Sequence, residues 1–248
     1  MNGEIADLCT IVLAVRKAMI TNTVPEYSGA TYVSKTVFVP SGSTAQKDLP
    51  AWYEEAVSGS LCDVKLLVPT RVEDRSILGF SNTHNGWMTC YYRDGRINRM
   101  VPGWRYNREQ KSWEAEYREV PWEDAPKRIP VYHDHTAQFI NVLLEIRRLA
   151  DTICEPYFYA CFSEALSVLN DKDSAGHNNS SGIEWPHAAN FLAAHAADVF
   201  GAMGSWNDTP EGKAHAMKLS SEYNRLSDAL LEQIRLNLMY AVNEGNPV

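Results

Sequence analysis

The chain has 248 residues, with 23 Lys and Arg against 31 Asp and Glu, a formal charge of −8. Hydrophobic residues make up 45% and charged residues 22%, which excludes a disordered, collagen-like or coiled-coil chain. The length fits one large domain or two small ones.

No run of about 18 apolar residues occurs, so no membrane span is expected. The best stretch, Leu8 to Ile20, is interrupted by Arg16 and Lys17. Glu4 and Asp7 stand where a secretory leader would be basic. The cysteines are Cys9, Cys62, Cys90, Cys154 and Cys161. Their odd number and lack of paired spacing read as free thiols in a reducing cytosol, so a cytoplasmic location is expected.

Ile5, Leu8, Val12, Val15 and Met19 recur at helical spacing, and Pro25 with Ser28-Gly29 should end that first helix. Thr31 to Val39, rich in β-branched and aromatic residues, reads as a strand. Asp48 to Val57 can form a short helix carrying Trp52 and Tyr53.

From Cys62 to Val120 the pattern turns to β. Strands are expected at Val64–Val68, Ser76–Phe80, Trp87–Tyr92 and Arg96–Met100. Asn85-Gly86 and Asp94-Gly95 read as hairpin turns, since these residues tolerate positive φ. Pro102-Gly103 should break or bulge the strand. Trp104–Tyr106 and Ser112–Tyr117 then complete a meander rich in aromatics.

A proline-punctuated connector, residues 121–133, separates the expected sheet portion, 1–120, from a helical portion, 134–248. The two portions form either two subdomains or one shared core. Helices are expected over Asp134–Ala150, from Pro156 to Leu169, from Pro186 towards Gly201, and from Thr209-Pro210 onward through Leu238. Asp171 to Gly182 is polar and reads as a loop. It begins like a calcium loop at Asp171-x-Asp173, but Ala175 and Gly182 stand where ligands belong. Strands followed by helices, without βαβ alternation, define the α+β class: an N-terminal helix, an antiparallel aromatic β-meander and a C-terminal bundle of about four helices.

Nucleotide-binding glycine loops, the Gly-x-Ser-x-Gly elbow, His-Glu-x-x-His and Cys-x-x-Cys are all absent. Three weaker constellations remain. His133 and His135 flank Asp134, and Glu184-x-x-His187 with His195 adds further imidazole and carboxylate ligands, a set suited to zinc or iron. Asp134 serves equally well as a helix cap, and one Glu-x-x-His falls short of a diiron bundle. The second constellation is basic: Arg93, Arg96, Arg99 and Arg105 interleave with aromatics such as Trp104, as in surfaces that stack bases and hold phosphates. The acidic run at Glu114, Glu116 and Glu119 that follows points instead to cross-strand ion pairs. A pI of about 5.4 also speaks against non-specific nucleic-acid binding.

The third is the string Gly201-Ala202-Met203-Gly204-Ser205-Trp206-Asn207-Asp208. Structurally it reads as a helix cap at Gly204, a core plug at Trp206 and a turn at Asn207 and Asp208. Functionally Asn207 and Asp208 would be polar groups at a pocket mouth, with Trp206 a further candidate binding residue. The string resembles the Gly-x-Met-Gly-Ser-aromatic-Asn-Asp segment near the C-terminus of small bacterial proteins, over about Phe200 to Asp208. Some such proteins look like members of bacterial conflict or toxin–immunity repertoires. The resemblance implies an interaction role and transfers no catalytic residue.

The first expectation is therefore a non-enzymatic cytosolic bacterial interaction protein, an immunity or inhibitory factor acting on a protein partner without a cofactor. The alternative is a metal-dependent hydrolase using the histidine and carboxylate set. The third is an anionic-ligand or nucleic-acid binder using the basic meander. Oligomeric state stays open.

Overall fold

A computed structural model describes residues 3–126, 128–171 and 181–248 and shows a mixed α+β protein. Two units divide these residues. Gly3–Val68, His84–Val131 and Pro247–Val248 form a sheet unit, while Pro69–Thr83 and Tyr132–Asn246 form a helical unit. The acidic start of the Asp171–Gly182 stretch continues into residues 172–180, outside the described residues.

In the sheet unit, α1 (Gly3–Thr21) buries Ile5, Leu8, Val12 and Val15. It ends before Pro25: Asn22 adopts a left-handed φ of 54°, and Thr23 N–H closes on the Ala18 carbonyl at 3.0 Å. The strands β1 (Val33–Val39), β2 (Leu61–Leu67), β3 (Trp87–Tyr92), β4 (Ile97–Asn107) and β5 (Ser112–Pro121) form one sheet in the order β1-β5-β4-β3-β2. The helix α2 (Leu49–Ser58) links the two edge strands. Asp48 caps it by accepting the Ala51 N–H at 2.9 Å.

Three features differ from the expected meander. First, the sheet is mixed: β2 to β5 pair antiparallel, but β1 pairs parallel to β5. No short hairpin ties β1 to β5, so alternation along either strand carries no information about their relative direction. Second, Ser76–Phe80 is no strand. Arg75–Gly79 is a 3-10 turn capped by Asp74, and β2 pairs with β3 across the intervening segment. Asn85 keeps its positive φ of 52°, without a hairpin around it. Third, β4 runs unbroken through Pro102, which lies opposite Tyr117. Pairing with β3 stops at Met100, so the missing Pro102 N–H leaves no ladder bond unmade on that side.

In the helical unit, α3 (Thr136–Thr152) packs on α4 (Pro156–Asn170), α4 on α5 (His187–Ala197), α5 on α7 (Ser220–Glu244), and α7 back on α3. Small buried residues, Ala188, Ala189, Ala193, Ala194 and Ala197, let α5 approach its neighbours. The short α6 (Thr209–Ala216) is a separate helix, where the sequence pattern had implied one continuous helix into α7. Lys218 takes a φ of 61° and Leu219 N–H bonds the Ala214 carbonyl at 2.8 Å, a Schellman closure made without glycine. Cys154 closes α3 in the same way, with a φ of 56° and Glu155 N–H on the Ala150 carbonyl at 2.8 Å.

Candidate functional site

The chain leaves α5 at Asp198 and turns through Val199–Asp208 into α6. Trp206 pins this turn. Its indole is fully buried, stacked on Tyr223 and edge-on to Phe158 and Phe162. Trp206 Nε1 donates to Ser227 Oγ at 2.8 Å, and the Tyr223 hydroxyl donates to the Trp206 carbonyl at 2.5 Å. Asn207 Nδ2 donates to the Arg75 carbonyl at 2.9 Å. Asp208 Oδ2 accepts the Gly204 N–H at 2.8 Å, steadying a residue with φ of 79°. Gly79 lies so close beneath Gly201 and Ala202 that a Cβ there would collide with their backbone. Trp206, Asn207 and Asp208 are thus occupied in holding the turn, and the residues before them are what it displays.

Those residues form one wall of an open groove of about 770 Å³. Tyr157, Cys161 and Glu164 from α4 form another, and His195 stands near the end of α5. Met203 is 96% exposed and Tyr157 69%. The lining contains Glu164 and Asp198 but no lysine or arginine. Burial lowers the His195 pKa below its ordinary value, against the opposing pull of the Asp198 and Glu164 charges, so the ring is neutral at pH 7. Burial raises the Cys161 pKa, so its sulfur stays a thiol rather than a reactive thiolate. The groove therefore presents two carboxylates beside the exposed Met203 and Tyr157 side chains, on a surface more polar than apolar.

His133, His135 and His187 are not among the residues that line the groove. Asp134 Oδ1 accepts the Thr136 N–H at 2.8 Å, so the His133–His135 segment is a polar helix entry. Glu184 holds the chain's last residues: its N–H donates to the Asn246 carbonyl at 2.8 Å, and its Oε2 accepts from Asn246 Nδ2 at 3.2 Å. The His187 ring lies 4.9 Å from the Tyr240 ring. Among the described residues, no three His, Cys, Asp or Glu side chains are grouped so as to hold an ion, so His133, His135, Glu184, His187 and His195 do not converge.

The arginines are also dispersed over the sheet unit. Arg105 faces Glu114 directly across β4 and β5, with an N–O distance of 2.5 Å, the cross-strand pair that the charge pattern implies. Arg96 pairs with Asp94 at 2.7 Å, donates to the Gly59 carbonyl at 2.8 Å and covers the Tyr92 ring. Arg93 is exposed at the same β3–β4 turn. Arg99 lies against the edge-on pair of Trp87 and Trp122 indoles. Trp104 is 7% exposed and packs against Tyr32 and Trp113. Arg99 and Arg105 are six positions apart on one strand, about 20 Å, so these arginines form no single phosphate track.

Comparison with known proteins finds no matching family model, no matching curated protein and no matching solved structure. The sequence pattern singled out Trp206, Asn207 and Asp208, of which Trp206 alone is buried. Tyr157 and Glu164 carry no motif, whereas Met203 lies within the singled-out string, between two glycines.

Proposed function

We propose that this chain acts without catalysis, as a cytosolic bacterial interaction protein of the immunity or inhibitory kind, and that the groove beside Met203 is its binding site. The partner segment it suits is basic and carries aliphatic side chains. One observation carries this reading: a methionine left 96% exposed on a turn that a buried tryptophan, a side-chain cap and a glycine contact hold in place. Such a residue contributes little to its own fold. Methionine is adaptable at binding surfaces because its chain is flexible and its sulfur polarizable. Charge complementarity selects the partner, since Glu164 and Asp198 line the groove without a lysine or arginine and the chain carries −8. The protonated Cys161 thiol supports binding over nucleophilic chemistry.

The test is to pan a random displayed peptide library on the intact chain. Enriched peptides should place Lys or Arg beside Leu, Met or aromatic residues. Their capture should fall about tenfold or more in Met203→Asp and in Glu164→Lys, the size expected for loss of a central contact. Selection of acidic peptides, or equal capture by both variants, would overturn the reading.

A further inference from the structure

Strand alternation gives the sheet two faces. One lies under α1 and α2 and holds Phe38, Trp52, Tyr117 and Glu119 together. On the opposite face the register sets Lys65 beside Thr89, and Thr89 beside Arg99. Neighbours at such paired positions have Cβ atoms about 5 Å apart.

Trp87 lies two residues from Thr89 along β3, on this same face. The Arg99 guanidinium carbon lies 5.2 Å from the Trp87 ring centre and 5.7 Å from that of Trp122, and the two rings meet edge-on at 5.5 Å. These rings hold the cation over their π-faces. They supply no negative charge, and Arg99 makes no ion pair among the described residues. Arg99 Nε and Trp87 Nε1 are buried without an acceptor. Thr89 is fully buried, and its hydroxyl makes no hydrogen bond of ordinary geometry, although the Tyr91 phenol approaches it.

A buried donor without an acceptor carries the full cost of its lost hydration. Here such donors stand on adjacent strands of one sheet face, and neither guanidinium nor indole can accept a hydrogen bond. The nearby acids on this face are engaged. Asp63 accepts the Val64 N–H at 2.8 Å and lies 3.9 Å from Lys65, and Glu116 pairs with Arg118 at 2.6 Å.

We propose that Arg99, Trp87 and Thr89 form a binding site for an oxyanion, a carboxylate or phosphate group presented by a small ligand. The oxygen atoms of such a group accept what these side chains donate, and the planar guanidinium suits two of them at once. This site is independent of the groove beside Met203.

The experiment follows thermal unfolding of the full chain in inorganic phosphate, and separately in acetate, against chloride at equal ionic strength. The wild type should show a saturable rise in Tm with one of the two anions, which identifies the group bound. Arg99→Met should abolish the saturable part. Thr89→Val keeps the side-chain shape, so it should leave the unliganded Tm unchanged or raised and weaken the anion about tenfold. No saturable rise in the wild type, or the same rise in Arg99→Met, overturns the site. If Arg99→Met does not fold, unchanged anion affinity in Thr89→Val overturns it instead.

Discussion

The sheet unit buries carboxylates under neutral donors, whereas the helical unit buries a cation and a chain of amides. On β5, Glu119 accepts from Trp52 Nε1 at 3.2 Å, the Tyr92 hydroxyl at 2.5 Å and Asn98 Nδ2 at 2.7 Å. On α1, Asp7 accepts from the hydroxyls of Tyr27 and Tyr117, each at 2.7 Å. Arg235 on α7 is 2% exposed and donates to the Pro69 carbonyl, and burial brings its pKa down to about 10. It therefore stays charged at pH 7. Asn190 donates to Asn237 at 2.8 Å and to Thr136 at 2.7 Å, linking α5 to α7 and α3. A sheet brings aromatic hydroxyls and indoles from several strands onto one acid. A helix bundle offers mostly aliphatic faces, with carbonyls and amides at its seams. Polar burial in the sheet unit thus depends on the acceptor, and in the helical unit apolar fit around Trp206 dominates.

That contrast can be broken at both ends. Trp206→Ala should have the largest effect, a loss of about 3–5 kcal/mol in denaturant unfolding, because a fully buried indole leaves a cavity. A loss below about 1 kcal/mol would mean that the turn is not pinned there.

Glu119→Ala should come next, at about 3 kcal/mol, since three donors lose their acceptor at about 1 kcal/mol or more each. Glu119→Gln keeps one acceptor oxygen and should lose less. Equal losses for the two variants would show that volume, not the acceptor, holds this core.

The smallest effect is a pH dependence. Burial raises the Asp7 pKa above 3.8, outweighing the two tyrosine hydrogen bonds that lower it. Between the two values the folded chain binds more protons than the unfolded one, so stability is lost as pH rises through that window. Asp7→Asn removes this titration, and its stability should gain on the wild type as pH rises above 3.8. A constant gap between the two across the acid range would show that Asp7 does not titrate this way.

Much of the architecture was legible locally. Trp87–Tyr92 is a strand at the expected bounds, because aromatic and β-branched residues precede an Asp94-Gly95 turn. The Arg105–Glu114 pair follows from a basic strand meeting an acidic one. The end of α6 was hidden, since Lys218 supplies a left-handed residue where glycine is the usual signal. The groove was hidden too: Tyr157, Glu164, His195 and Met203 come from three segments with no shared spacing.

By itself the sequence determined the α+β class, the helix faces and most strands, because periodicity and turn chemistry act between near neighbours. Only the tertiary structure decided that β1 runs parallel beside β5 and that Trp206 is anchor rather than contact. It alone set Thr89 and Arg99 side by side on the sheet and left Met203 outside. Those outcomes depend on which distant surfaces compete to be buried, and local patterning does not encode that competition.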